Sequence, residues 1–153
     1  VRMEELNFGN FPLFQPNDLK QMLTSSNYAF VGAYCDGNLV GFCSGTFIDK
    51  FAKKHQVVVQ TMPQNIEPAA IIYVESFELL PEFQRKGIGA KLFRHFMAES
   101  QKKGFSFVAG HARQGASYDL VRTMLRNCIL VDSPVCNYLG SSETYHYILS
   151  KLR

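Results

Sequence analysis

The fold predicted is a single α/β (α+β) domain with a mixed central sheet flanked by helices, on three observations. Two strand-like runs, Tyr28–Cys35 and Leu39–Phe47, flank Asp36-Gly37-Asn38, the pattern of a tight hairpin in which Gly37 takes a positive φ. Strand-like and helix-like patterns then alternate from Ile71 to the end of the chain. That order, a meander followed by strand-helix-strand-helix-strand, gives a sheet with both antiparallel and parallel pairs. A length of 153 residues fits one domain, 1–153, in which about 70% of the unfolded surface can be buried.

The elements follow in order. Pro16-Asn17-Asp18 is a start signal for a helix within Phe11–Ser26, where Leu19, Met22 and Leu23 form a short apolar stripe. After the hairpin, Asp49–Pro68 is polar and mixed and reads as a long excursion, with Val57-Val58-Val59 as a short strand inside it. Ile71–Leu79 is apolar enough to be the central strand. Ile88, Leu92, Phe93, Phe96 and Met97 fall at helical spacing, and Gly104 stands where the helix should stop. Phe105–Ala112 reads as a strand, Ser117–Arg126 as a helix with Leu120, Val121, Met124 and Leu125 on one side, and Tyr145–Leu149 as the last strand.

Composition narrows the class. Apolar residues are 46% and charged residues 19%, as in ordinary globular proteins, and no apolar run reaches the length of a membrane span. The first residues lack the apolar core of a signal peptide. Cys35, Cys43, Cys128 and Cys136 show no Cys-x-x-Cys pair and no metal-like spacing with histidine, so buried free thiols in a reducing cytoplasm are expected and no metal. A net charge of +3 is too small to imply nucleic acid. Glu82–Lys103 nevertheless holds six Lys/Arg against two Glu, a local excess that suits an anionic ligand.

That excess coincides with the most informative segment, Leu79-Leu80-Pro81-Glu82-Phe83-Gln84-Arg85-Lys86-Gly87-Ile88-Gly89-Ala90. A glycine-bearing turn between a strand and a helix start lets a phosphate approach the backbone, where the first helical N–H groups have no carbonyl partner. A Walker A loop is excluded because Ala90 and Lys91, not Lys-Ser/Thr, follow Gly89. A dinucleotide fingerprint is excluded because position 92 is leucine rather than glycine. The remaining pattern, Gln-x-x-Gly-x-Gly over Gln84–Gly89 preceded by Pro81-Glu82-Phe83, resembles the acyl-CoA-binding motif of the GCN5-related N-acetyltransferases.

The resemblance is strongest over Ile71–Arg113, and before Tyr28 the chain has room for fewer elements than the family usually carries. It implies the acyl-CoA N-acyltransferase fold, acetyl-CoA as co-substrate, and transfer of acetyl to a primary amine by direct attack on the thioester. The acceptor would be a small-molecule or peptide amine. It also implies that Phe77, Glu78 and Leu79 face the acyl and pantetheine portions. Gln84, Arg85, Lys86, Gly87, Ile88, Gly89 and Ala90 would hold the pyrophosphate. Glu75 and Glu78 are the candidate bases; in a regular strand they face opposite sides, and Glu75 shares a side with Phe77 and Leu79. The family's acid, a tyrosine, corresponds to Met124, so Tyr118 at the front of the same helix is its candidate substitute. A structural role is expected of all four histidines, although His111 could line the cleft. Two other readings stay open: a silent acyl-CoA-binding domain of the same fold, and a nucleotide-binding regulatory domain. The last strand and its aromatics could serve a homodimer.

Overall fold

The computed structural model describes residues 20, 24–25, 27–55, 65–125 and 129–152. Almost all of the helix expected within Phe11–Ser26, and the strand expected at Val57–Val59, lie outside these residues. The elements are β1 (Tyr28–Cys35), β2 (Asn38–Phe47), α1 (Ile48–His55), β3 (Ile71–Leu79), α2 (Ile88–Lys102), β4 (Phe107–Arg113), α3 (Ala116–Leu125), β5 (Ile129–Val135) and β6 (Tyr145–Lys151). They build one six-stranded sheet in the order β1-β2-β3-β4-β6-β5. β3 and β4 pair in parallel, and every other neighbouring pair is antiparallel. The mixed sheet is as expected.

The hairpin turn has positive φ at both Asp36 and Gly37, the combination that matches the twist of a two-residue connection. Two elements differ from the sequence reading. Helix α1 occupies the start of the stretch read as an excursion, because Ile48 and Phe51, spaced for one helical face, are buried against the sheet. Strand β5 was not anticipated: the sequence reading placed no element between the helix at Ser117–Arg126 and the strand at Tyr145–Leu149. β5 is an edge strand, where the missing N–H of Pro134 costs no ladder bond.

Successive residues of the inner strands point to opposite faces, which gives the sheet two apolar layers. Ile72, Val108 and Ile148 join Leu92, Phe93 and Phe96 of α2 and Leu125 of α3 on one face. Ile71, Ala109 and Leu149 join Ile48 and Phe51 of α1, with Tyr73 and Tyr147, on the other. Both faces of the centre are thus covered, which explains why β3 and β4 read as continuous apolar runs rather than alternating ones. The last strand, β6, lies between β4 and β5, so it has no free backbone edge to offer a partner. The cysteine expectation needs correcting: Cys43 is buried, with its thiol pKa pushed well up by burial, but Cys35 and Cys136 are exposed.

Phe96 is fully buried where α2 crosses the sheet. Its replacement by Ala is expected to cost about 3–5 kcal/mol, the usual range for emptying a buried aromatic site, as measured by urea denaturation.

Candidate functional site

Parallel pairing between β3 and β4 runs from Ile71↔Phe107 to Val74↔Gly110 and stops there. Beyond that point β3 stays with β2 as far as Leu79, while β4 stays with β6 as far as Arg113. The two central strands therefore part, and a cleft of about 870 Å³ opens between them. Its β3 wall is Val74–Leu79, its β4 wall includes His111 and Arg113, and the glycine turn lies at the end away from the last strand pair. That volume lies within the usual range for ligand sites, about 300–1,000 Å³.

A β-bulge shapes the β3 wall. Ser44 pairs with Ser76 and Gly45 with Val74, so Glu75 is an extra residue with no place in the β2 ladder. The alternation shifts across it. Val74 and Phe77 both pack on the α2 face, with Phe77 5.5 Å from Phe93 between ring centroids. Glu75 consequently does not share a face with Phe77, contrary to the regular-strand expectation, and its charge reaches Tyr73 and Tyr138. Both carboxylate oxygens of Glu75 are buried. Glu78 is also buried, and its Oε1 accepts a 2.5 Å hydrogen bond from Ser76 Oγ. Both glutamates line the cleft. The sequence carried a signal for the bulge in Gly45: a Cβ there would stand 2.6 Å from the carbonyl oxygen of Tyr73.

The turn follows from its residues. Pro81–Phe83 is a short 3₁₀ turn, and the Gln84 side-chain amide donates to the Leu79 carbonyl at 2.9 Å, tying the turn to the strand end. Arg85 and Gly87 both have left-handed φ, +57° and +76°. Gly87 caps α2, and space is open where its Cβ would be. At Gly89 a Cβ would press to 3.3 Å on Leu120 of α3. Among the described residues, the backbone N–H groups of Arg85–Ala90 bond to no backbone carbonyl. Unpaired donors at a helix N-terminus beside left-handed residues form an anion cradle. Of the residues expected to hold the cofactor, Phe77, Glu78, Leu79, Gln84, Arg85, Gly87, Gly89 and Ala90 line the cleft. Lys86 and Ile88 are not among its walls; Lys86 sits 5.7 Å from the Phe83 ring.

The residues expected on α3 behave differently. Tyr118 is not part of the cleft wall, and its ring stacks on His146 at 4.0 Å. Met124 packs against the core and is not part of the cleft wall. The cleft-facing residues of α3 include Ala116, Ser117, Leu120 and Val121, so no tyrosine of this helix reaches the cleft.

A different tyrosine does. Tyr138 sits in a turn in which Asn137, Leu139 and Gly140 all have positive φ. Two of these are not glycine, a conformation that costs roughly 1–2 kcal/mol per residue and fixes where Tyr138 points. Its ring stacks on His111 at 4.1 Å, and its hydroxyl is 2.8 Å from that of Tyr73. The Tyr73 hydroxyl is in turn 2.5 Å from His111 Nδ1. Burial pushes His111 down to about 4 and raises Tyr73 and Tyr138 well above the usual phenol value. His111 is thus neutral at pH 7. Neither Tyr73 nor Tyr138 was among the expected site residues; the one local signal was Asn137 and Gly140 flanking Tyr138 at turn-forming positions.

A cleft ending on an anion cradle fits a long ligand with a phosphate-bearing end. Comparison with known proteins agrees. The sequence profile of the Acetyltransferase (GNAT) family matches residues 2–122. The chain belongs to that family. No curated protein is a significant sequence match to this GNAT chain. Among solved structures it resembles Ard1 from Thermoplasma volcanium, at 15% identity and a TM-score of 0.67, covering 99% of this chain and 88% of the other. It is similar to YncA, a putative acetyltransferase from Salmonella typhimurium with its cofactor acetyl-CoA, at 14% identity and TM-score 0.66, covering 100% and 85%. The ribosomal-protein-S18-alanine N-acetyltransferase from Escherichia coli is similar at 14% identity and TM-score 0.65, covering 99% and 84%. At such identities the likeness shows the GNAT fold, a mixed sheet with flanking helices.

Among the described residues of this GNAT chain, no group of three or more His, Cys, Asp or Glu side chains could hold a metal. No described helix is long and apolar enough to cross a membrane.

The neutrality of His111 has a stability consequence. Its folded pKa of about 4 lies below the ordinary 6.5, so between those values the unfolded chain binds more protons. The stability held above pH 6.5 is expected to fall by about 3 kcal/mol as pH drops to 4. His111→Gln should flatten that slope in urea denaturation curves taken across the range.

Proposed function

We propose that the protein transfers the acetyl group of acetyl-CoA to a primary amine, and that the transfer takes place where β3 and β4 part. The observation that carries this reading is the continuous cleft running from that point to the unpaired N–H groups of Arg85–Ala90. Acetyl-CoA, when bound, supplies an acyl group already activated as a thioester.

The chain's own residues do the rest. The backbone of Gln84–Ala90 and the Arg85 guanidinium, which lines the cleft, hold the pyrophosphate. Phe77 and Leu79 give an apolar wall to the acyl arm, and Glu78 is the polar group between them. Glu75, placed by the bulge, supplies the negative charge that draws a cationic amine and the carboxylate that accepts a proton from its nitrogen. Tyr138 replaces Tyr118 as the hydroxyl available at the reacting place, because it alone of the two lines the cleft. The acceptor side comprises Phe51 of α1 and the segment Tyr138–Tyr145, which admits a small-molecule or peptide amine. We place the protein in the cytoplasm, where acetyl-CoA and free thiols coexist. One observation favours a silent acyl-CoA-binding domain instead: no tyrosine of α3 faces the cleft. Turnover with a panel of primary amines separates the two readings.

Acetyl-CoA at 100 times its dissociation constant adds about 2.7 kcal/mol and should raise the unfolding midpoint by roughly 5–10 °C, with ATP and NAD giving no comparable shift. Absence of that shift would remove the cofactor assignment. Gly87→Glu, which puts bulk and negative charge beside the cradle and a side chain at φ +76°, is expected to abolish the stabilisation while leaving a folded protein. Glu75→Gln should lower turnover at least about 10-fold and keep the acetyl-CoA shift; a full-rate variant would take Glu75 out of the reaction.

A further inference from the structure

Three side chains from distant parts of the sequence meet at the point where β3 and β4 part. Tyr73 pairs with Ala109 just before the strands separate, and His111 is the first residue of β4 beyond the last pair. Tyr138 arrives from the strained turn before β6. Tyr138 and His111 line the cleft, whereas Tyr73 is fully buried behind them and bonds to both. A buried hydroxyl joining two groups of a cleft wall is a continuous path for a proton. A core tyrosine needing a single hydrogen-bond partner would not require this arrangement.

We infer that Tyr138, Tyr73 and His111 form a proton relay for the acceptor amine, with Tyr138 as its end in the cleft. The inference rests on the acetyltransferase reading and assigns that reaction's proton path. With the imidazole hydrogen on Nε2, Tyr73 donates to Nδ1 and Tyr138 donates to Tyr73. The oxygen of Tyr138 is then left as an acceptor for an N–H of the incoming ammonium group. When that N–H bond breaks, its proton joins the Tyr138 oxygen. Tyr138's own proton passes to Tyr73, and Tyr73's to Nδ1. The amine keeps the electron pair and becomes nucleophilic, and His111 holds the charge as imidazolium.

The chain now points the other way, with the Tyr138 O–H turned toward the cleft. Donating that proton to the thiolate released by the transfer runs each step in reverse and restores neutral His111. The first proton lost by the nitrogen is the one gained by the thiolate; the second, shed as the amide forms, goes to the Glu75 carboxylate in the cleft wall and from it to water, so one proton is released overall and nothing is oxidised or reduced.

The surroundings suit this cycle. A neutral His111 does not repel a cationic acceptor on arrival. Glu75 on β3 acts electrostatically on both Tyr73 and Tyr138 and favours a transient cation on the relay. From β6, Tyr147 lies 5.1 Å from the His111 ring and Tyr145 4.9 Å from that of Tyr138. At the cleft rim Arg113 is paired with Glu143 at 3.2 Å, so its charge is balanced locally.

Three variants test the relay on the amine of the panel that gives the highest wild-type turnover. Tyr138→Phe should lower kcat about 100-fold while keeping the acetyl-CoA stabilisation. Tyr73→Phe, which leaves Tyr138 in the wall but cuts it from His111, should lose a similar factor. The double variant should be no slower than either single one, because a broken path cannot be broken twice. Independently of turnover, ¹⁵N spectra of histidine-labelled protein should show His111 Nδ1 bare and hydrogen-bonded, and Tyr73→Phe should shift it toward free imidazole. Losses that multiply in the double variant, or full turnover in folded Tyr138→Phe, would overturn the relay; full turnover in Tyr73→Phe would direct the proton to Glu75. If no amine in the panel turns over, the acetyltransferase reading fails and the relay with it. If acetyl-CoA stabilises the protein and amines turn over while His111 Nδ1 is protonated, only the relay fails.

Discussion

The cleft of this molecule depends on hydrogen bonds that two parallel strands do not make. Backbone groups in the middle of a sheet are normally paired, and leaving them unpaired in an apolar interior is costly. β3 and β4 give up their mutual ladder after Val74 and Gly110, and each survives because its other neighbour continues, β2 beside β3 and β6 beside β4. The antiparallel partners on the outside make the central gap possible.

The gap also orders the chemistry in space. Its closed end lies where the two strands still touch, and the Tyr73–His111–Tyr138 cluster sits there. Its other end is the N-terminus of α2, with unpaired N–H groups and Arg85. A ligand with an anionic tail and a reactive head can take only one direction in such a cleft. The bulge at Glu75 adds a carboxylate to the β3 wall near the closed end, at the cost of one ladder position opposite Gly45. Apolar layers on both faces hold this arrangement rigid, since α2 and α3 cover one side of the sheet and α1 the other.

The site is built differently at its two ends. In the turn the geometry belongs to the backbone: Arg85 and Gly87 have left-handed φ, and the donors left unpaired are amide groups. Where the strands part, the contacts are between side chains: a hydroxyl, an imidazole and a second hydroxyl meet within hydrogen-bonding distance. The strain in Asn137–Gly140 belongs with those contacts, since it aims one ring at His111.

What the sequence by itself determined was everything local. The hairpin at Asp36-Gly37, the glycine turn, the amphipathic α2 and the apolar β3 and β4 are properties of short segments, and they were enough to reach the fold and a turn that lines the cleft. Tertiary structure decided which side chains face the cleft. A single extra residue at Glu75 moved Phe77 to the other face, and no periodicity count over β3 alone can locate a bulge that exists only relative to β2. Tyr118, the candidate substitute for the tyrosine missing at Met124, turned to His146, while Tyr138 reached the cleft from the turn ahead of β6. Strand β5 with its proline became a strand only because β6 offered it an edge. Helix ends, turns and apolar runs are set by neighbours along the chain; the meeting of residues 73, 111 and 138 is set by how the sheet is ordered.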